Sequence, residues 1–152
     1  MCRMDLNEFF SQWDQIHQDT LATLEAFEEP ELNFSGFEGG RCVGDIALHI
    51  VHAEEGWFRV IAQRKYSEWP SRHTLKEYPT KEKISHLLKS THKETMLYLG
   101  SKTIQDLETV FESEWGKFSL KFIIWHVIEH EIHHRGELSL ILGLLGRDGL
   151  DV

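Results

Sequence analysis

The fold is decided by the last long stretch of the chain, residues 119–146, which reads SLKFIIWHVIEHEIHHRGELSLILGLLG. Ser119 is a suitable N-cap and Gly146 a suitable terminator, so we expect one helix that runs to about Leu145. Its apolar residues lie on nearly every side, and they are Phe122, Ile123, Ile124, Val127, Ile128, Ile132, Leu138, Leu140, Ile141, Leu142, Leu144 and Leu145. A helix of this kind packs against several neighbours or against another subunit.

Three more helices are expected upstream. Apolar residues recur at three- and four-residue steps over Asp5–Phe27, over Val43–Lys65, and from a Thr80 cap to Leu99, and this period indicates helices. The connection 101–118 before the last helix is long, and its end, EWGKFS, could form a short hairpin. The sequence therefore predicts an all-α four-helix bundle made by one domain, residues 1–152.

Charge and cysteine usage narrow the class of protein. Of the 152 residues, 41% are hydrophobic, which suits one domain with a real core. The net charge of −9 argues against a nucleic-acid or anionic-membrane surface. Cys2 and Cys42 form no CxxC pair, and the N-terminus has no apolar leader segment. We therefore expect a cytoplasmic protein that binds neither nucleic acid nor membrane.

Four histidines share one face of the last helix. His126, His130, His133 and His134 lie within a sector of about 100 degrees. His130 and His134 are spaced i, i+4, so both rings can reach one metal ion, and the pair His126 and His130 has the same spacing. Burying several unpaired imidazoles is costly, whereas a metal would satisfy them together.

The second helix supplies a third histidine. His49 shares a stripe with Ile46, Ala53 and Trp57, so its side chain should point inward. His52 is offset from that stripe by about 60 degrees and is expected at a helix boundary or in solvent. We therefore predict His49 as the third ligand beside one of the two pairs, His126 with His130 or His130 with His134, and no catalytic residue is assigned.

Two other kinds of metal site match the sequence less well. HEIHH spells the H-E-x-x-H of zinc peptidases, but no histidine follows His134 as a third ligand, and Gly136 is misplaced for the extended motif. A di-iron carboxylate bundle needs an E-x-x-H step on two helices, and the second helix, with Glu54 and Glu55, has none.

The segments ALHIVHAEEGW (47–57) and HVIEHEIHHRGELSLILGLLG (126–146) resemble the DinB-like superfamily. The resemblance covers the four-helix layout and so most of the chain. It implies a four-helix bundle, commonly dimeric, with zinc or nickel held by one histidine of the second helix and an H-x-x-x-H pair of the fourth. His49 matches the first of these, and His130 and His134 match the pair.

One position departs from the pattern of that superfamily. Where many relatives read R-G-Q, this chain has Arg135, Gly136 and Glu137. The change alters a hydrogen bond near the site and leaves the three ligands intact.

The resemblance implies less about chemistry. Some relatives are thiol S-transferases that use a low-molecular-weight thiol, others resemble maleylpyruvate isomerases, and many have no known activity. A three-histidine metal with an open position lowers the pKa of a bound thiol or water. We therefore expect a homodimeric metal-dependent enzyme, with thiol S-transfer to a small-molecule substrate as the leading hypothesis. The alternatives are a non-catalytic, metal-stabilised stress or binding protein and a metal-dependent hydrolase.

The remaining residues of interest are given structural roles. Packing, interface or ligand-orienting roles are expected for His52, His126 and His133, and core or dimer contacts for Trp57, Trp115 and Trp125. Glu54, Glu55 and Glu131 could orient ligand rings, but solvated helix surfaces are favoured for them. Arg135 is expected to pair with Glu131 or Glu137, and Cys42 to be inert.

Overall fold

A computed structural model describes residues 4–149 of the chain, so Cys2 lies outside the described residues. The helices are α1 (Leu6–Phe9), α2 (Gln12–Glu25), α3 (Val43–Glu55), α4 (Lys81–Gly100) and α5 (Leu120–Leu144). The strands are β1 (Val110–Ser113) and β2 (Gly116–Ser119). The bundle consists of α2 to α5, which confirms the all-α four-helix prediction.

The predicted caps set the limits of the long helices. The hydroxyl of Thr80 accepts a hydrogen bond from the N–H of Lys83, and that of Ser119 accepts one from Phe122. Gly146 has φ of +79°, the left-handed conformation that ends α5. Each cap satisfies backbone groups at a helix end, so these boundaries follow from local chemistry.

Two of the predicted helices are less regular than expected. The first is interrupted at Phe10 and Ser11, where α1 ends and α2 begins. The N–H of Leu6 donates to the carbonyl of Lys102 at 3.0 Å, so the course of α1 is set by the chain that leaves α4. The second continues beyond α3 as a π-helical turn, Gly56–Ala62.

Consecutive helices are not neighbours everywhere in this bundle. α2 and α3 lie diagonally, and each packs against α4 and α5. Helices α2 and α5 run parallel, because later residues of α2 contact later residues of α5. Trp13 and His17 contact Glu131, and Asp19 pairs with Arg135. Helices α3 and α4 both run in the opposite direction, so a crossover must join them. This crossover, residues 63–80, is as long as the predicted connection 101–118.

The connection before α5 carries the hairpin that the sequence suggested. β1 and β2 pair antiparallel from Val110 opposite Ser119 to Ser113 opposite Gly116. Gly116 follows the two-residue turn with φ of +129°, a conformation that favours glycine. The hairpin leads directly into α5, and Phe118 of β2 packs on Trp57 with ring centroids 4.9 Å apart.

The core contains a polar cluster to which all four helices contribute. Glu131 Oε2 accepts from Trp13 Nε1 at 2.8 Å, and His17 Nδ1 lies 2.9 Å from Glu131 Oε1. His17 stacks on His92, whose Nδ1 is 3.4 Å from the carboxylate of Glu54. Burial alone would raise the pKa of Glu131, but its bonds to His17 and Trp13 keep that pKa below the ordinary value.

Three glutamates that were predicted on the helix surface are buried. Glu54, Glu55 and Glu131 are 1%, 6% and 1% exposed, so the prediction of solvated helix surfaces is wrong. Each is held by partners from other elements: Glu55, for example, pairs with His73 at 2.6 Å. A buried carboxylate is stable only with such partners.

The last helix is less buried than its composition suggests. Part of its apolar surface faces outward, through Phe122, Trp125, Ile132, Leu140 and Leu144. Among the described residues, no helix is long and apolar enough to cross a membrane.

Candidate metal centre

Two helices bring three histidines to one point. His130 and His134 leave successive turns of α5 on one side, and His49 faces them from the antiparallel α3. Their candidate ligand atoms all lie within 4.8 Å of one another. The structure therefore brings together the three residues that the sequence predicts as ligands.

The geometry of the cluster suits a single ion. The Nε2 atoms of His49 and His130 are 3.1 Å apart. Two nitrogens that bind one zinc ion at about 2.0–2.1 Å in tetrahedral geometry are separated by roughly 3.3 Å, so the donors are already close to this spacing. The ring of His134 completes the set, with centroids 4.8 Å from His49 and 4.4 Å from His130.

A carboxylate fixes the orientation of one ring. The Nδ1 atom of His134 lies 2.8 Å from Oε2 of Glu137, one turn along α5. A proton on Nδ1 held by Glu137 leaves Nε2 with a free lone pair, the form that a metal ligand requires. Glu137, the residue that departs from the pattern of the relatives, is therefore the one that contacts a predicted ligand.

The three imidazoles are uncharged at neutral pH. Burial lowers the pKa of His49 to about 4, and the charge of Arg41 acts in the same direction, as would a proton on His134. Burial, followed by His134 and His49, lowers the pKa of His130 to about 3. Burial also lowers the pKa of His134, although Glu137 acts in the opposite direction. Neutral imidazole is the form that binds metal, so the donor set fits a divalent cation.

Two cavities that share three lining residues lie beside the cluster, and we call them the two ends of one groove. One end, of about 250 Å³, is lined by Arg41, Asp45, Leu48, Arg72, His73 and Thr74. The other, of about 500 Å³, is lined by Ala53, Trp57, Trp69, Pro70, His126 and His130. His49, His52 and Arg72 line both ends, so a ligand in the groove would lie beside the histidine cluster.

The other histidines near this point have different partners. His52 Nε2 lies 3.1 Å from the carbonyl of Pro70, which ties the connection 63–80 to α3. His126 packs on Trp57 with centroids 4.8 Å apart and stacks on Phe122. His133 is exposed and touches only the edge of His134 among the contacts described.

The glutamate of H-E-x-x-H points away from the cluster. The carboxylate of Glu131 is bonded to Trp13 and His17 in the core, so it has no access to the groove as a general base. Arg135 pairs with Asp19 at 3.5 Å, so the predicted pairing with Glu131 or Glu137 is wrong. The structure thus supports the rejection of the peptidase reading.

Several groove residues are not evident from the sequence. Arg41 precedes α3, while Trp69 and Arg72 belong to the connection 63–80, where no helical period marks a direction. The one sequence feature that could have indicated a site here is a tryptophan and an arginine close to a proline in a connection. Cys42 is half-buried, and burial raises the pKa of its thiol, which is consistent with an inert role.

Comparisons with known proteins agree with this fold. A family model described as the DinB family matches residues 1–151. A DinB-like protein from Bacillus cereus ATCC 10987 has a similar structure, with a TM-score of 0.76, 19% identity and 99% of each chain covered. A DinB-like protein from Bacillus subtilis has a TM-score of 0.70 and 17% identity, with 90% of each chain covered.

A further protein of similar structure is described as dependent on a metal. YfiT from Bacillus subtilis is described as a probable metal-dependent hydrolase with an unusual four-helix bundle topology. It has a TM-score of 0.59 and 19% identity over 88% of this chain and 87% of its own. At these identities the likeness shows the fold alone. No curated protein matches the sequence significantly.

Proposed function

This chain belongs to the DinB family, and we propose that it is a metal-dependent enzyme with a divalent ion, zinc or nickel, held by His49, His130 and His134. The observation that carries the proposal is the meeting of three uncharged imidazoles beside an open groove. A metal that only stabilised the bundle would need no groove and would normally have a closed fourth position. The groove therefore favours an enzyme over a non-catalytic stress or binding protein.

The reaction that we propose is transfer of a low-molecular-weight thiol to a small electrophilic substrate. A divalent ion on three histidines supplies Lewis acidity, which lowers the pKa of a bound thiol or water. Glu137 keeps Nε2 of His134 available as a donor, and Trp57 and Trp69 give one end of the groove an apolar lining. A thiol must stay reduced to react, so the proposal includes a cytoplasmic location.

Metal-dependent hydrolysis is the second candidate. It is favoured by the description of YfiT as a probable metal-dependent hydrolase. The same three histidines would serve either reaction, and the nucleophile would be water instead of a thiol.

Metal content measured by elemental mass spectrometry tests the site. We expect about one zinc or nickel ion per chain after incubation of the tag-free protein, and a large loss in His130→Ala. His86→Ala is the matched control, because it removes an exposed histidine of α4. A wild-type protein that binds neither metal would refute the site and the enzyme with it.

Activity assays on the loaded protein separate the two reactions. Cysteine with chlorodinitrobenzene reports S-transfer, and p-nitrophenyl acetate reports hydrolysis. We expect metal-dependent S-transfer to chlorodinitrobenzene in the wild type and in His86→Ala, and none in His130→Ala. Turnover of the ester alone would replace the transferase by the hydrolase, and turnover of neither would favour the non-catalytic alternative.

We also propose that the protein is a homodimer formed through the outer side of α5. Trp125, Ile132 and Leu140 are 61%, 41% and 66% exposed, and they follow one another at spacings of seven and eight residues. A Cβ added at Gly136, between them, would meet no described atom within 4 Å, so a second helix has room to approach. Exposed apolar surface of this kind is typical of protein interfaces.

A further inference from the structure

We propose that the groove takes a small organic acid, whose anionic group is bound by Arg41 and Arg72 and whose apolar body packs on Trp57 and Trp69. The inference rests on the proposed function in one respect, namely that the histidine cluster beside the groove is the reacting centre. It goes further by naming the chemical class of the substrate and the residues that select it.

The arginine end is built to receive a negative charge. Arg41 and Arg72 are exposed and line the same end of the groove. Within residues 4–149 neither has a hydrogen bond or a carboxylate partner, and Asp45 is the one acidic residue that lines this end with them. Guanidinium groups bind carboxylates and phosphates through paired, charge-assisted hydrogen bonds.

The charge of the whole chain makes these two arginines unusual. Acidic residues outnumber lysine and arginine by 25 to 16, so carboxylates are abundant as partners. Arg59, for comparison, binds the carboxylates of Glu55 and Glu94. Two arginines that converge on one cavity and remain unpaired are therefore available to a ligand.

The tryptophan end offers an apolar wall of defined shape. Trp57 and Trp69 stand edge to face, with centroids 5.9 Å apart and planes at 90°. Trp69 sits directly over Gly56, where an added Cβ would lie 2.1 Å from its ring. Only glycine permits this contact, and Gly56 begins the π-helical turn that presents Trp57 to the groove. π-Helical turns occur frequently at functional sites.

The segment that carries Trp69 and Arg72 is braced on both sides. The carbonyl of Pro70 lies 3.1 Å from His52 Nε2, and His73 Nε2 lies 2.6 Å from the carboxylate of Glu55. Both anchors come from α3, the helix that carries His49. These two contacts tie the chain at Pro70 and His73 to α3, so the segment between them keeps its place relative to His49.

The two ends share His49, His52 and Arg72 as lining residues, and each is of small-molecule size. Arg72 lines both ends, so an anion bound there would be close to His49 and to the aromatic wall at once. An acid with an aromatic or aliphatic body matches this order of charge and apolar surface. A neutral compound would gain no charge-assisted hydrogen bond from the two guanidinium groups.

Binding of 3-phenylpropionate and its neutral amide, 3-phenylpropanamide, tests the inference. Affinities are measured by calorimetry on the full chain, both metal-free and zinc-loaded. The metal-free form excludes direct coordination of the carboxylate by zinc. We expect the acid to bind at least about tenfold more tightly than the amide in both forms, the amount typical of a charge-assisted contact.

Four variants assign the effect to residues. Arg72→Gln should lose about tenfold in affinity for the acid and nothing for the amide, whereas Arg72→Lys should retain part of it. Trp69→Leu should lower the affinity for both the acid and the amide. Lys89→Gln, which removes one charge from an exposed position of α4, is the matched control and should change neither.

Each outcome decides one claim. Equal binding of acid and amide, equal effects of Arg72→Gln and Lys89→Gln, or no binding of the acid at millimolar concentration would overturn the inference. A protein that binds the acid through Arg72 but holds no zinc would instead refute the proposed metal enzyme and leave the acid site standing. Circular dichroism of each variant verifies that the fold is intact.

Discussion

Replacing Glu137 by glutamine is expected to weaken zinc binding about tenfold, or about 1.4 kcal/mol. The Oε2 atom of Glu137 lies 2.8 Å from Nδ1 of His134, and the Glu137 side chain is 30% exposed. Loss of such a partner typically costs 10- to 100-fold in metal affinity. An amide oxygen still accepts the Nδ1 proton but carries no charge, so glutamine should fall at the low end. Alanine removes the acceptor and should cost about 100-fold.

Competition for zinc with a chromophoric chelator at neutral pH measures both effects. Glu129→Gln removes the same charge from an exposed position of the same helix and is expected to change nothing. Wild-type affinity in Glu137→Ala would refute the reasoning, because it would mean that Glu137 does not orient His134. Equal losses in Glu129→Gln and Glu137→Gln would show that only net charge matters.

Three further results follow from the core and the surface. His17→Ala removes one partner of the buried Glu131 and should reduce the free energy of unfolding in urea by about 3 kcal/mol; a loss below about 1 kcal/mol would contradict this. Burial opposes a charge on His92, but Glu54 and other carboxylates outweigh it and raise the pKa of His92 to about 9. Its contribution to stability is therefore complete below pH 6.5 and is lost as the pH rises through 9. Urea unfolding across that range should show the decline in wild type and less of it in His92→Gln; equal profiles would disprove it. Ile132→Glu should convert a dimer to a monomer in sedimentation experiments, and a monomeric wild type would exclude the proposed dimer.

The features that were predictable from the sequence depend on residues close together in the chain. The caps at Thr80 and Ser119 act within one helical turn, so a few consecutive residues are enough to predict where each helix begins. The common face of His130 and His134 follows from their spacing of four, and the apolar stripe of α3 indicates the inward direction of His49.

The features that were not predictable depend on distant segments. Glu131 is a charged residue on a helix, which favours the surface, and its burial is explained only by Trp13 and His17, 118 and 114 positions away. Arg72 and Trp69 belong to a connection without a period, so their direction is set by the contacts of Pro70 and His73 with α3. Local pattern contains no information on such pairings.

The diagonal placement of α2 and α3 has a consequence for biosynthesis. The first two helices of the bundle to be made do not pack on each other, and both need α4 and α5 as neighbours. His49 is synthesised before His130, which lies 81 positions later in the chain, so the two can meet only after His130 has been made. Domains fold as units once their elements have been synthesised. A molecule that ends before His130 would thus carry a single histidine of the triad, and loading with metal would distinguish completed molecules from such incomplete ones.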